Sequence, residues 1–395
     1  MLSRWKLQLL VLLPSLAQGI SLWDTTGPYH VAYTYHVFNH TTPNDPTKPG
    51  NILLTTIYFP THQIPNATVP YIDSISAKIY GNTLGFPENM LTTLTTRLQF
   101  QGPTLLDTSP EFGNGTSPYP TIVFLPGAGM PILAYTAILS ELASYGYTVI
   151  GVDHPGEAPF IQLPYGGEGI YGYPNLTEYP PTPEETLAVY DFRLSDVLAL
   201  MDDSLLPSLI REYGAPINTT HFGVFGHSIG GSGAAGIMAA NDSHGALFKA
   251  GGNIDGTFIQ LLNETLDIDP SIIAADVKRP FLEIASEGHF LGNVSKAFDQ
   301  TWPQFNRAQS GWWRNLQVNR TQHLDFSDFP LWVDRLGQRN ETPGQFVGAG
   351  DGTRTTQIVT SVVRKFVRYI EGREEALEEA DDFFKKIPEI VILDG

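Results

Sequence analysis

Between residues 121 and 369, short runs that are apolar at nearly every position alternate with longer stretches whose apolar residues recur at helical spacing. Thr121-Ile122-Val123-Phe124-Leu125 is the first run, ending in Pro126-Gly127-Ala128-Gly129 before a helix-like stretch from about Pro131 to Tyr145. The run Tyr147 to Val152 stops at Asp153, and Leu187, Tyr190, Leu194, Val197, Leu198 and Met201 mark a helix over Pro183 to Leu206. Phe222 to Phe225 predicts another strand, followed by a small-residue helix from Ile229 to Ala240. Further strands are expected at Gly251 to Ile254, Phe281 to Ile284 and Leu316 to Val318, with a closing amphipathic helix from about Thr355 to Tyr369. Strands without a polar face, separated by helices, predict an α/β fold: a doubly wound, mostly parallel sheet covered by helices on both faces.

The flanks read differently. His30 to Phe38 and Ile52 to Tyr58 alternate as an antiparallel edge pair. Loop insertions are expected at about 70–118, in part helical, and at 162–183, where Tyr165, Tyr171, Tyr173 and Tyr179 stand among glycines and prolines. No repeat of the length used by solenoids is present, so residues 20–372 are read as one domain. The acidic segment 373–395 is read as a tail presenting a solvated helix face.

Residues 1–19 change the picture of where the chain acts. Arg4 and Lys6, the apolar stretch Leu7 to Ala17 and the small residues up to Gly19 have the form of a secretory leader, too short to span a bilayer. A secreted protein without a transmembrane anchor after cleavage is expected. Asn-x-Ser/Thr sequons at Asn39, Asn66, Asn114, Asn175, Asn218, Asn241, Asn263, Asn293, Asn319 and Asn340 agree with a glycoprotein. The chain has no cysteine, which excludes disulfides and thiol chemistry, and its formal charge of −18 argues against nucleic acid as a partner. The histidines are scattered without close ligand pairs, so no metal site and no cofactor are expected.

The candidate chemistry lies in Gly226-His227-Ser228-Ile229-Gly230, a G-x-S-x-G sequence between a predicted strand and a predicted helix, the context that exposes a serine oxygen on a sharp turn. Serine at its ordinary pKa is a weak nucleophile and needs a base oriented by a carboxylate. In folds built around this turn the acid and then the histidine follow the serine in sequence, leaving His244, His289 and His323. His323, just after a late strand, is the expected base, with His289 in reserve. Asp255 and Glu287 each follow a strand, and the residues alone leave the choice of acid near even. The amides of Ile229 and Ala128 are the expected oxyanion donors. Asp325 is expected to be a solvated neighbour of the base. Tyr171 and Trp312 are candidates to line an acyl site.

Five segments together resemble the secreted and type II platelet-activating factor acetylhydrolases, a family of α/β-hydrolases. They are Val123 to Gly129, Leu142 to Val149 leading into Asp153-His154-Pro155-Gly156, the nucleophile pentapeptide, Asn253-Ile254-Asp255-Gly256, and Gln322-His323-Leu324-Asp325-Phe326-Ser327-Asp328-Phe329. The resemblance covers roughly residues 118 to 335. It implies the α/β-hydrolase fold, Asp255 as the acid, and a serine ester hydrolase. The implied substrate is a phospholipid with a short or oxidised acyl group at the second glycerol carbon, met in transient contact with a lipid interface. A general short-chain or polyester esterase with the same triad is the alternative, and a non-catalytic binding glycoprotein the more distant one. Pro126 departs from the histidine common at that position, and the insertion from Gln162 to Pro183 matches only loosely.

Overall fold

In a computed structural model, the structure describes residues 19–43, 45, 51–105, 119–174, 179–180, 182–202, 206, 209, 217–240, 245–291 and 299–395. Residues 1–18 of the expected leader, the sequons at Asn114, Asn175, Asn241 and Asn293, and His244 lie outside them.

Ten strands form one sheet: β1 (His30–Asn39), β2 (Ile52–Thr61), β3 (Gln99–Phe100), β4 (Thr121–Leu125), β5 (Thr148–Asp153), β6 (Phe222–His227), β7 (Phe248–Ile254), β8 (Phe281–Ser286), β9 (Trp313–Val318) and β10 (Ile390–Asp394). Their order is β10-β9-β8-β7-β6-β4-β5-β2-β1-β3. The six strands from β4 to β9 run parallel, while β2 and β10 pair antiparallel to their parallel neighbours. The chain leaves β4 towards β5 on one side and returns to β6 on the other, so the carboxyl ends of β4 and β6 flank a topological switch point, where such sheets open a crevice.

Successive residues of the central strands face opposite layers. Ile122 and Phe124 pack with α2 (Thr136–Ser144) and α5 (Gly352–Val367), whereas Val123 and Leu125 pack with α3 (Pro183–Leu200) and α4 (Ile229–Ala239). The small residues of α4 are needed for that approach. A Cβ at Gly231 would lie 1.9 Å from Asn253 Oδ1, and one at Gly236 would lie 2.3 Å from the Tyr190 hydroxyl.

Three regions depart from expectation. Residues 70–105 contain α1 (Ser74–Leu84), capped by Asp73, but also short strands, one of which joins the main sheet as β3. The helix read as reaching Leu206 ends at Leu200. The acidic tail is an integral part of the domain: two short helices, Glu375–Glu378 and Ala380–Phe384, pack with α5, and β10 pairs along β9. Ala380 and Phe384 are fully buried, and Arg314 on β9 holds Asp381 at 2.7 Å, so only part of that acidic run faces solvent.

Candidate active site

Ser228 occupies the turn between β6 and α4 with φ 56° and ψ −131°, a conformation strained for a residue with a side chain. The sequence permits it because the flanking positions are glycine. A Cβ at Gly226 would lie 2.1 Å from the Gly230 carbonyl oxygen, and one at Gly230 would lie 2.3 Å from that of Leu125. The Ser228 amide donates to the Ile254 carbonyl at 2.8 Å, tying the turn to β7.

At the end of β7, Asp255 is likewise at positive φ (59°) and is buried. Its carboxylate accepts from the Ser286 amide at 2.5 Å and the Ser286 hydroxyl at 3.0 Å, and lies 2.7 Å from His323 Nδ1. Burial works to raise the Asp255 carboxyl, but contacts with His289 and His323 outweigh it and hold the group below the usual carboxylate range. His323 opens a one-turn helix (His323–Phe326) after β9, and its side chain is 45% exposed. With Nδ1–H donated to Asp255, its Nε2 carries the free lone pair of the neutral ring.

Glu287 does not meet His323. Its carboxylate accepts from the Arg320 amide, three residues before His323, and so fastens the loop that carries His323. Asp325, expected in solvent, is instead buried: it accepts from the amides of Gln322 and Gly348 at 2.7 and 2.6 Å, and burial pushes its carboxyl up to about 6. Trp312 stacks on Phe366 at the start of β9, the end of the sheet away from Ser228. Tyr171 is 67% exposed and lies against Phe160. Neither is brought to Ser228.

The loop after β4 lies against Ser228: a Cβ at Gly127 would be 3.3 Å from Ser228 Cβ. The amides flanking Ala128 are both engaged, Gly127 with the Tyr135 hydroxyl at 2.9 Å and Gly129 with Glu157 at 2.8 Å. Arg193, fully buried on α3, binds the Gly127 carbonyl at 3.1 Å and Glu157 at 2.6 Å, bracing the loop from both sides. Ile229 and Ala128 belong to an apolar cluster with Val189, Tyr190, Phe192 and Tyr179. A cavity of about 320 Å³ opens two strands away, past β5, among Tyr33, Tyr35, Tyr58, Tyr71 and Asp153; Ser228, Asp255 and His323 do not line it. Burial raises Asp153 to about 7, and its carboxylate accepts from the Ile132 amide at 2.7 Å.

Two participants, His227 and Arg193, were not singled out from sequence. His227, inside the pentapeptide, donates from Nε2 to the His323 carbonyl at 2.9 Å and accepts at Nδ1 from Tyr135 at 2.8 Å. Burial and the nearby His323 push it down to about 3, so the ring stays neutral and joins the His323 segment to the loop after β4. Arg193 carried a legible signal: it follows Tyr190 by three positions and precedes Val197 by four, which puts a charge on the apolar stripe of its helix. His289, the reserve candidate for the base, is instead placed with Nδ1 3.3 Å from Asp255 and Nε2 3.1 Å from Asp299, a placement no local motif marks.

The chain belongs to the alpha/beta hydrolase family, whose model matches residues 122–381. Among curated proteins it is similar to a probable 1-alkyl-2-acetylglycerophosphocholine esterase of Arthroderma benhamiae, 25% identical over 287 residues, or 70% of this chain and 66% of the relative. The match thus spans just under two thirds of that relative's length. Among solved structures it is similar to a ferulic acid esterase from Streptomyces cinnamoneus, with a TM-score of 0.72 and 25% identity over 95% of this chain and 100% of that one.

Proposed function

We propose that the protein is a secreted, glycosylated serine esterase in which Ser228 is the nucleophile, His323 the base and Asp255 the acid. The observation that carries the reading is the 2.7 Å contact between Asp255 and His323 Nδ1, made by elements that converge on a strained serine turn. His323 Nε2 takes the Ser228 proton as Oγ attacks the ester carbonyl. The Ala128 and Ile229 amides hold the oxyanion, and Nε2 returns the proton to the departing alcohol. Water then repeats the sequence on the acyl-enzyme and releases the acid. The Ala128 assignment is supported by its neighbours' amides being engaged elsewhere, and the Ile229 amide, at the first position of α4, has no partner within its helix. Exposed Asn39, Asn66, Asn263 and Asn340 suit glycan attachment.

For the substrate we favour a phospholipid with a short or oxidised acyl group at the second glycerol carbon. The sequence motifs and the name of the Arthroderma benhamiae relative support it. The Streptomyces cinnamoneus neighbour supports a second reading, an esterase of small aromatic or short-chain esters. Hydrolysis of phosphatidylcholines carrying acetyl, butyryl or palmitoyl at the second position, beside an aryl acetate and a feruloyl ester, separates them when run with Ser228→Ala. Serine-dependent cleavage of the acetyl lipid over the palmitoyl one is expected. Cleavage of the aryl or feruloyl ester alone moves the substrate class, and turnover that survives Ser228→Ala overturns the esterase assignment.

A further inference from the structure

Asp255 is shared between two histidines. While His323 meets one carboxylate oxygen, His289 Nδ1 lies 3.3 Å from the other, and His289 Nε2 lies 3.1 Å from Asp299. Asp299 is itself surrounded by donors: the Thr257 hydroxyl at 2.7 Å, the Thr301 amide at 2.9 Å and the Thr301 hydroxyl at 2.6 Å. A carboxylate so placed is ionised. An imidazole whose two nitrogens both face carboxylates must carry a proton on each.

We propose that His289, held as an imidazolium between Asp255 and Asp299, is a positioning residue that tunes His323 through their common carboxylate. The inference rests on the triad reading above. Its geometry is fixed from several sides: the His289 amide donates to Ser286 Oγ at 3.0 Å, which in turn donates to Asp255, and the ring lies 4.9 Å from that of Trp302, whose Nε1 holds the Gly256 carbonyl. Burial works to lower His289, but Asp255 and Asp299 raise it to about 10.

The other titratable groups facing this chain leave the charge in place. Burial pushes Glu283 on β8 well up, which favours its neutral form, His227 on β6 is neutral, and Glu287 is turned to Arg320. Asp255 therefore presents His323 with a charge already partly balanced. A carboxylate whose charge is shared with a second imidazolium stabilises a charged His323 ring less than a lone carboxylate would.

The test is the pH profile of kcat/KM for a Ser228-dependent ester in wild type, His289→Gln and Asp299→Asn. Removing the cation should move the acid limb upward by about one pH unit in His289→Gln. Asp299→Asn, which lets His289 become neutral, should move it the same way by less. The histidine N–H spectrum at pH 8 should show both His289 nitrogens protonated in wild type and not in Asp299→Asn. A uniform fall in kcat with the limb unmoved, or a His289 ring with one proton at pH 8, overturns the proposal while leaving the triad standing. If turnover survives Ser228→Ala, the triad reading fails and this role of His289 fails with it.

Discussion

Ser228 and Asp255 end adjacent strands, and each holds a backbone conformation that a side chain disfavours, at a cost of order 1–3 kcal/mol per residue. The strain is tolerated because the turn is pinned: Ser228 N to Ile254, Asp255 N to Ile284 at 2.8 Å, and glycines where a Cβ would collide. Ser228→Gly should accordingly raise the melting temperature by about 1–2 degrees, as relief of roughly 1 kcal/mol does in a domain this large, while esterase turnover is lost. Calorimetry beside an aryl acetate assay checks it, and an unchanged or lower Tm counts against stored strain at this turn. Ser228 and His323 were readable because a short motif and a chain order point to them. Asp255 and Glu287 were not separable from the residues alone, since both follow strands. What separates them is spatial: β7 neighbours β6, and Glu287 faces an amide rather than an imidazole. His289 was held in reserve as a base, and nothing local marks a residue whose role depends on Asp299, ten positions further along the chain.

The elements around the site act as braces. Arg193 on α3 and Glu157 after β5 hold the loop from Gly127 to Gly129, and the pair is almost wholly enclosed. Arg193→Met should cost about 3–5 kcal/mol, because Glu157 is left as a buried charge without its partner. It should also lower kcat, since it would misplace Ala128, the oxyanion donor proposed above, and lose transition-state binding. Adding Glu157→Gln should restore much of the stability without restoring kcat. Chemical denaturation with single-turnover kinetics reads both, and full recovery of kcat in the double variant would show that the brace does not position the loop. Most central elements could be placed from periodicity alone, because strands buried on both faces and amphipathic helices leave different patterns. The edges could not. β3 has two residues, too few for a pattern, and β10 follows an acidic run whose composition masks the buried Ala380 and Phe384.

Across the whole molecule, buried acids set how stability responds to pH. Burial raises Asp153 and Asp328 to about 7 and Asp325 to about 6, so between their unfolded values and these the native state binds protons that the unfolded chain releases. Stability from these groups therefore rises as pH falls from about 7 towards 4. His289, raised to about 10, adds stability that is complete below the unfolded histidine value and fades as pH climbs through 10. Opposing them, His227, lowered to about 3, draws stability away below the unfolded histidine value, and Asp255 and Asp196, both held below the usual range, do so in stronger acid. Tm should be higher at pH 5 than at pH 8 and fall again below about pH 4, which a thermal melt series checks; a Tm that increases steadily to pH 8 contradicts the balance.

The position of β10 has a consequence for biosynthesis. β9 carries the chain to His323, yet the strand that covers its outer edge is made only after α5 and the acidic helices. A ribosome-bound chain that already holds the serine turn and His323 therefore displays an open row of backbone donors and acceptors along β9. Until Ile390–Asp394 emerges, that row is a template for a neighbouring nascent chain, and any proteolytic nick or stop codon before Ile390 makes the exposure permanent.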